Sequence, residues 1–209
     1  MNRYEGLTKP SALAAGVLLV LGSAVQLIPV ARTESGRAQS PIFLFASIVL
    51  LAASLLLVLA LASLYVRRAA QVGSFGFSAV LVAGTGTVLL CAVYWSHSFL
   101  WPSLAQAAPE LLDGTVVPGP FRFGELVARV IFGIGWIMAG VALLRAHIYG
   151  YAPAIVIMIG AVVTVVPSFS SVVPAFVVGQ LVFGIGVFWL GLTPAYVLTE
   201  HYRRHEPVT

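Results

Sequence analysis

The sequence predicts an all-α integral membrane protein with six transmembrane helices, and three observations predict it. Of 209 residues, 60% are hydrophobic and only 9% are charged, with a mean hydropathy of +1.02. A globular domain carries about 45–50% apolar and about 25% charged residues. The few charges bound long charge-free runs, at 11–31, 41–66, 69–109 and 146–199. Those runs do not alternate in polarity: Val49-Leu-Leu-Ala-Ala-Ser-Leu-Leu-Leu-Val-Leu-Ala-Leu61 is continuous. In hydrocarbon such a run satisfies its backbone only as a helix, and outer-membrane strands would alternate.

A crossing needs about 20 apolar residues. The first span, 11–31, lies between Lys9 and Arg32; its long apolar stretch and poor exit at Gln26-Leu-Ile-Pro-Val mark an uncleaved helix rather than a signal peptide. The second, 41–66, ends at Arg67 and Arg68, and the third covers 74–96. The segment 97–124 holds Pro102, Pro109, Pro118 and Pro120 and reads as a loop. Within it Leu104, Ala107, Ala108, Leu111 and Leu112 have the spacing of a short interfacial helix. The fourth span is 125–145. The last charge-free run is far too long for one crossing, so it folds back at the prolines Pro167 and Pro174, giving spans 151–167 and 173–198.

Orientation follows from the basic residues. With the N-terminus inside, Arg3, Lys9, Arg67, Arg68, Arg145, Arg203 and Arg204 are cytoplasmic, against Arg32, Arg37 and Arg122 outside. Both termini are therefore expected in the cytoplasm. Tyr65, Tyr149, Tyr151, Tyr196 and Tyr202 gather at the inner boundary, and Trp95, Phe99, Trp101, Phe121 and Phe123 at the outer one. A faint parallel repeat links two hairpins: Gly22 and Gly160 each precede a proline (Pro29, Pro167) by seven residues, and Pro41-Ile-Phe43 matches Pro174-Ala-Phe176.

Soluble enzymes, nucleic-acid binders and disulfide-stapled domains are excluded. The net charge of +4 is dispersed as single and paired basic residues, which orients helices and does not form a phosphate-binding tract. Cys91 is the sole cysteine, and no HExxH, HxH or CxxC spacing occurs, so no metal site and no cofactor is predicted. The expected partners are membrane lipid and another membrane protein or a second copy of this chain.

The candidate site sits at the outer end. Glu125 and Arg129 share a helix face at i, i+4, and an ionisable residue within a span is a functional-site candidate, with interfacial anchoring of Arg129 as the structural alternative. His97 stands among Tyr94, Trp95 and Trp101, with Glu110 and Asp113 in the following loop. Trp95, His97, Trp101, Glu125 and Arg129 are the predicted ligand-binding set. Gln26, Thr85 and Gln180 are intramembrane polar groups that either hydrogen-bond between helices or line a path for a polar solute. Small residues at four-residue spacing, Ala12/Gly16, Gly135/Ala139 and Ala175/Gly179, allow close helix approach, and Trp136 and Trp189 are expected in the core. Central segments lack Asp, Glu and His, which argues against ion-coupled transport.

Phe132-Gly133, Ala139-Gly140-Val-Ala-Leu-Leu-Arg145, Gly150-Tyr-Ala-Pro153, Ile159-Gly160 and Pro174-Ala-Phe-Val-Val-Gly-Gln180, with Leu64-Tyr65-Val66 closing the second helix, carry a resemblance. The chain resembles the bacterial six-helix membrane family known as domain of unknown function 4386. Gln180 stands where that family usually has an acid, and Ala154 where it often has Arg. The resemblance implies the helix count and a bacterial cytoplasmic membrane, and it brings no activity or catalytic residue. The functional expectation is a non-enzymatic sensor, accessory or small-ligand-binding component. The alternatives are a small transporter or channel, and a membrane enzyme acting on a lipid or isoprenoid.

Overall fold

The computed structural model describes residues 8–113, 119–147, 150–165 and 173–193, and every regular element among them is helical. The elements are α1 (Thr8–Gln26), α2 (Glu34–Ala38), α3 (Pro41–Val66), α4 (Gln71–Ala107), α5 (Glu110–Asp113), α6 (Gly119–Ala146), α7 (Tyr151–Val165) and α8 (Val173–Leu192). Five of them, α1, α3, α4, α6 and α8, are long and apolar enough to cross a membrane. The fifth predicted span appears as α7, an apolar helix of 15 residues. At 1.5 Å per residue it is about 22 Å long, short of the roughly 30 Å hydrocarbon core. The predicted Pro167–Pro174 turn lies mostly outside the described residues, as do Arg3, Arg203 and Arg204.

α3 and α4 form one hairpin. Its reversal is Gly73, with φ 60° and ψ −161°, a conformation that strains any residue carrying a Cβ. Leu61 then faces Gly84 and Ser54 lies beside Cys91, an antiparallel register centred on that glycine. The same logic extends round the bundle. α1 packs on α3 and α8, α8 on α7, α7 on α6, and α6 on α4, so the six longer helices close an antiparallel ring. Gly22 meets Leu50 and Gly160 meets Phe183, each partner nine residues beyond its hairpin proline, Pro41 or Pro174. At Gly16, Gly135 and Gly179 a Cβ would overlap the backbone of Phe188, Ala83 and Val163–Thr164 respectively. The sequence signal of small residues is therefore a signal of backbone contact. The centre is filled by Leu50, Leu57, Phe132, Trp136 and Phe183, with the Trp136 indole donating to Thr87 Oγ1 at 3.1 Å. Trp189 departs from its expected core position and is exposed on α8.

Three predicted boundaries move. α1 stops at Gln26 rather than 31, because Pro29 disfavours helix in the residue before it and supplies no donor. The third span does not stop at 96: a π turn at Ser96–Leu100 carries the helix on to Ala107, with Pro102 at the start of the resumed α segment, where its missing N–H is tolerated. α6 begins at Gly119 rather than 125, with Pro120 in its first turn. The expected loop is thus largely helical. Ala38 of α2, Ala105 of α4 and Leu112 of α5 bury against one another and against Trp101 and Leu104, forming a small cap over one end of the ring. Asp113 fastens it: the Ser35 amide donates to Asp113 Oδ1 at 2.8 Å and the Ser35 hydroxyl donates to Oδ2. Those bonds hold the Asp113 carboxyl below the usual carboxylate range, the Ser35 hydroxyl contributing most.

Candidate functional site

Beneath the cap, three helices each contribute two side chains one turn apart. α4 supplies Tyr94 and His97, α6 supplies Glu125 and Arg129, and α8 supplies Phe176 and Gln180. Spacings of three and four residues put both members of each pair on one helix face. His97 lies within the π turn, whose wider hydrogen-bonded ring re-aims side chains relative to a regular helix. Glu125 lies six residues into α6, about 9 Å from its first residue at the helical rise.

Glu125 is the hub. Its Oε1 is 2.8 Å from His97 Nε2 and its Oε2 accepts from Arg129 Nη2 at 3.3 Å. The three side chains are only 12% (His97), 14% (Glu125) and 21% (Arg129) exposed. An ionised carboxylate is acceptor-only, so His97 donates through Nε2–H. The imidazole is walled by Trp101, edge-on at 4.5 Å between centroids, and by Phe43 at 5.8 Å. Phe121 extends the aromatic wall from Trp101 at 5.9 Å. The Arg129 guanidinium carbon stands 4.5 Å over the Phe176 ring. One turn deeper on α4 and α8, the Gln180 amide nitrogen donates to the Tyr94 hydroxyl oxygen, and both residues are buried.

Three buried polar atoms of this cluster have no hydrogen-bond partner among the described residues: His97 Nδ1, Arg129 Nε and Gln180 Oε1. In the tautomer that donates to Glu125, His97 Nδ1 is an acceptor, Arg129 Nε–H is a donor, and Gln180 Oε1 is an acceptor. A buried polar group without a partner costs about 1–3 kcal/mol. The cluster therefore carries a demand for a solute or water that both donates and accepts.

Of the predicted ligand-binding residues, His97, Trp101, Glu125 and Arg129 come together. Trp95 does not: it is 55% exposed and packs on Phe99, two residues round the helix from His97. The intramembrane polar residues do not share a path. Thr85 is exposed, Gln180 is buried, and Gln26 ends α1 half-buried. Glu110 is exposed and Asp113 is engaged by α2, so neither joins His97 and Glu125, and no group of three His, Cys, Asp or Glu gathers among the described residues. Phe176 and Phe43 enter the sequence reading only as matching positions of the faint hairpin repeat, not as site residues. Phe176 had a usable signal in its i, i+4 spacing to Gln180; Phe43 had no spacing to a polar residue that would place it at the site. No protein-family model, no curated protein and no solved structure matches the chain.

Proposed function

We propose that this chain is a six-span component of a bacterial cytoplasmic membrane, with both termini inside, that binds a small polar ligand at the His97–Glu125–Arg129 cluster. On this reading α7 and the residues after it make the sixth crossing, the cap faces outside, and the likeness to the six-helix family reflects common descent. The protein acts as a sensor or accessory subunit and not as an enzyme, and it needs no metal or cofactor. The observation that carries the reading is the incomplete saturation of a buried ionic cluster. A purely structural ion pair would have its remaining donors and acceptors met within the bundle. Here the imidazole and the guanidinium each bind Glu125 and each keep one buried nitrogen without a partner among the described residues.

The test is a thermal-stability screen of the purified chain in lipid nanodiscs against small hydroxyl, amide and carboxylate solutes. A solute that raises the midpoint of the parent chain should lose its effect in Glu125→Gln and Arg129→Ala while both variants keep the parent helicity. A shift of equal size in both variants would overturn the assignment.

A further inference from the structure

At the end of the ring opposite the cap, α3, α4 and α6 part over an apolar crevice of about 30 Å³. Its space is left by small residues, Ala79 on α4 and Ala139 and Ala142 on α6; Gly76 also lines it, with Val72 filling the place of its missing side chain, and Trp136 lies at its deep end. From Trp136 to Leu143 it follows α6 for about 10 Å at the helical rise. One turn beyond Ala142 stands Arg145, which is exposed, with its guanidinium carbon 4.8 Å from the ring of Phe75, the neighbour of Gly76. Among the described residues no carboxylate lies within 4.0 Å of Arg145. The surrounding sequence adds Arg67 and Arg68, and neither 36–109 nor 126–199 contains an acid. A narrow apolar slot therefore opens beside a cation with no anion among the described residues.

We propose that this crevice and Arg145 form a docking site for an anionic membrane phospholipid, one acyl chain lying along the open side of the slot against its apolar lining and the headgroup phosphate on the guanidinium. The slot selects for a chain because its lining is apolar and only the width left by the alanines is free. Arg145 selects for the headgroup, since a guanidinium meets a phosphate with two parallel N–H donors, and in a zwitterionic lipid the headgroup's own ammonium offsets the phosphate charge. Tyr65 lines the slot and places an amphipathic ring at its mouth, as interfacial aromatics do. The site is independent of the Glu125 cluster at the other end.

The experiment uses the full chain, delipidated in a neutral detergent, with phosphatidylglycerol or phosphatidylcholine of identical acyl chains added back. Bound lipid is counted by native mass spectrometry and the thermal midpoint is read in parallel. Phosphatidylglycerol should be retained in preference and should raise the midpoint more. Arg145→Gln, a surface change that leaves the core intact, should cut that preference about fivefold, the share of one basic side chain near an anionic headgroup. Ala139→Val, which narrows the slot by two methyl groups, should lower retention of both lipids. Equal retention of the two lipids, an unchanged preference in Arg145→Gln, or equal potency of a free fatty acid would each overturn the proposal.

Discussion

Replacing Glu125 with leucine removes the carboxylate that His97 of α4 and Arg129 of α6 share. At a separation near 3.3 Å the gross attraction to Arg129 is about 5 kcal/mol at an effective dielectric near 20. Most of it is offset by the desolvation of both charges. What the substitution exposes is the cost of leaving Arg129 buried without its anion, about 3–5 kcal/mol for a fully buried pair. Here the three side chains retain 12–21% of their exposure, so about 2–3 kcal/mol is expected for Glu125→Leu. Arg129→Leu should cost less, because Glu125 keeps His97 and only the contact with Phe176, about 0.5–2 kcal/mol, is lost besides. The double variant should recover about 1–2 kcal/mol relative to the sum of the single losses. The assay is reversible unfolding in mixed micelles, with helicity and Trp fluorescence as coincident probes. A coupling below about 0.3 kcal/mol would refute the reasoning, because the carboxylate and guanidinium would then be energetically independent despite their contact.

Two further outcomes follow from the cap and the topology. The Asp113 carboxyl is held below its ordinary range in the folded chain, so its contribution is present above the unfolded value and is lost as pH falls through the folded one. Protection of the Ser35 amide, its exchange rate taken relative to an unstructured amide at the same pH, should accordingly fall as pH drops below about 4 and stay constant from there to neutrality, whereas in Asp113→Asn it should not change with pH. In a Cys91→Ala background, a cysteine at 113 should react with an impermeant thiol reagent added outside intact cells and one at 68 should not; the reverse pattern would invert the proposed topology.

The helices were legible wherever lipid is the deciding solvent, because a charge-free run of sufficient length has one backbone solution there. The pair Arg67-Arg68 located the α3–α4 reversal to within a few residues of Gly73. What failed was punctuation by proline. Pro102 and Pro120 read as breakers, yet each occupies the start of a helical segment, where a missing N–H is harmless. The π turn that accommodates Pro102 has no compositional signature. Within the site, Glu125 and Arg129 were visible because they are local to one helix. The Tyr94–Gln180 pair spans 86 residues, so its members could be named but not joined. Thr85 and Trp95 differ from their buried neighbours only by helical phase, which a helix apolar on every side hardly records.

The closed ring has a consequence for how the protein is made. The hairpin α7–α8 occupies the gap between α1 and α6, the first and fourth long helices to leave the ribosome. Until it arrives, Gly16 of α1 and Gly133 and Gly140 of α6 present bare backbone grooves to lipid. Tyr94 and Arg129 lack Gln180 and Phe176 over the same interval. Docking of the final hairpin therefore completes the packing and the polar cluster in one step. A chain halted after α6 would expose both defects together, as a recognisable target for membrane proteases and chaperones that survey unassembled helices.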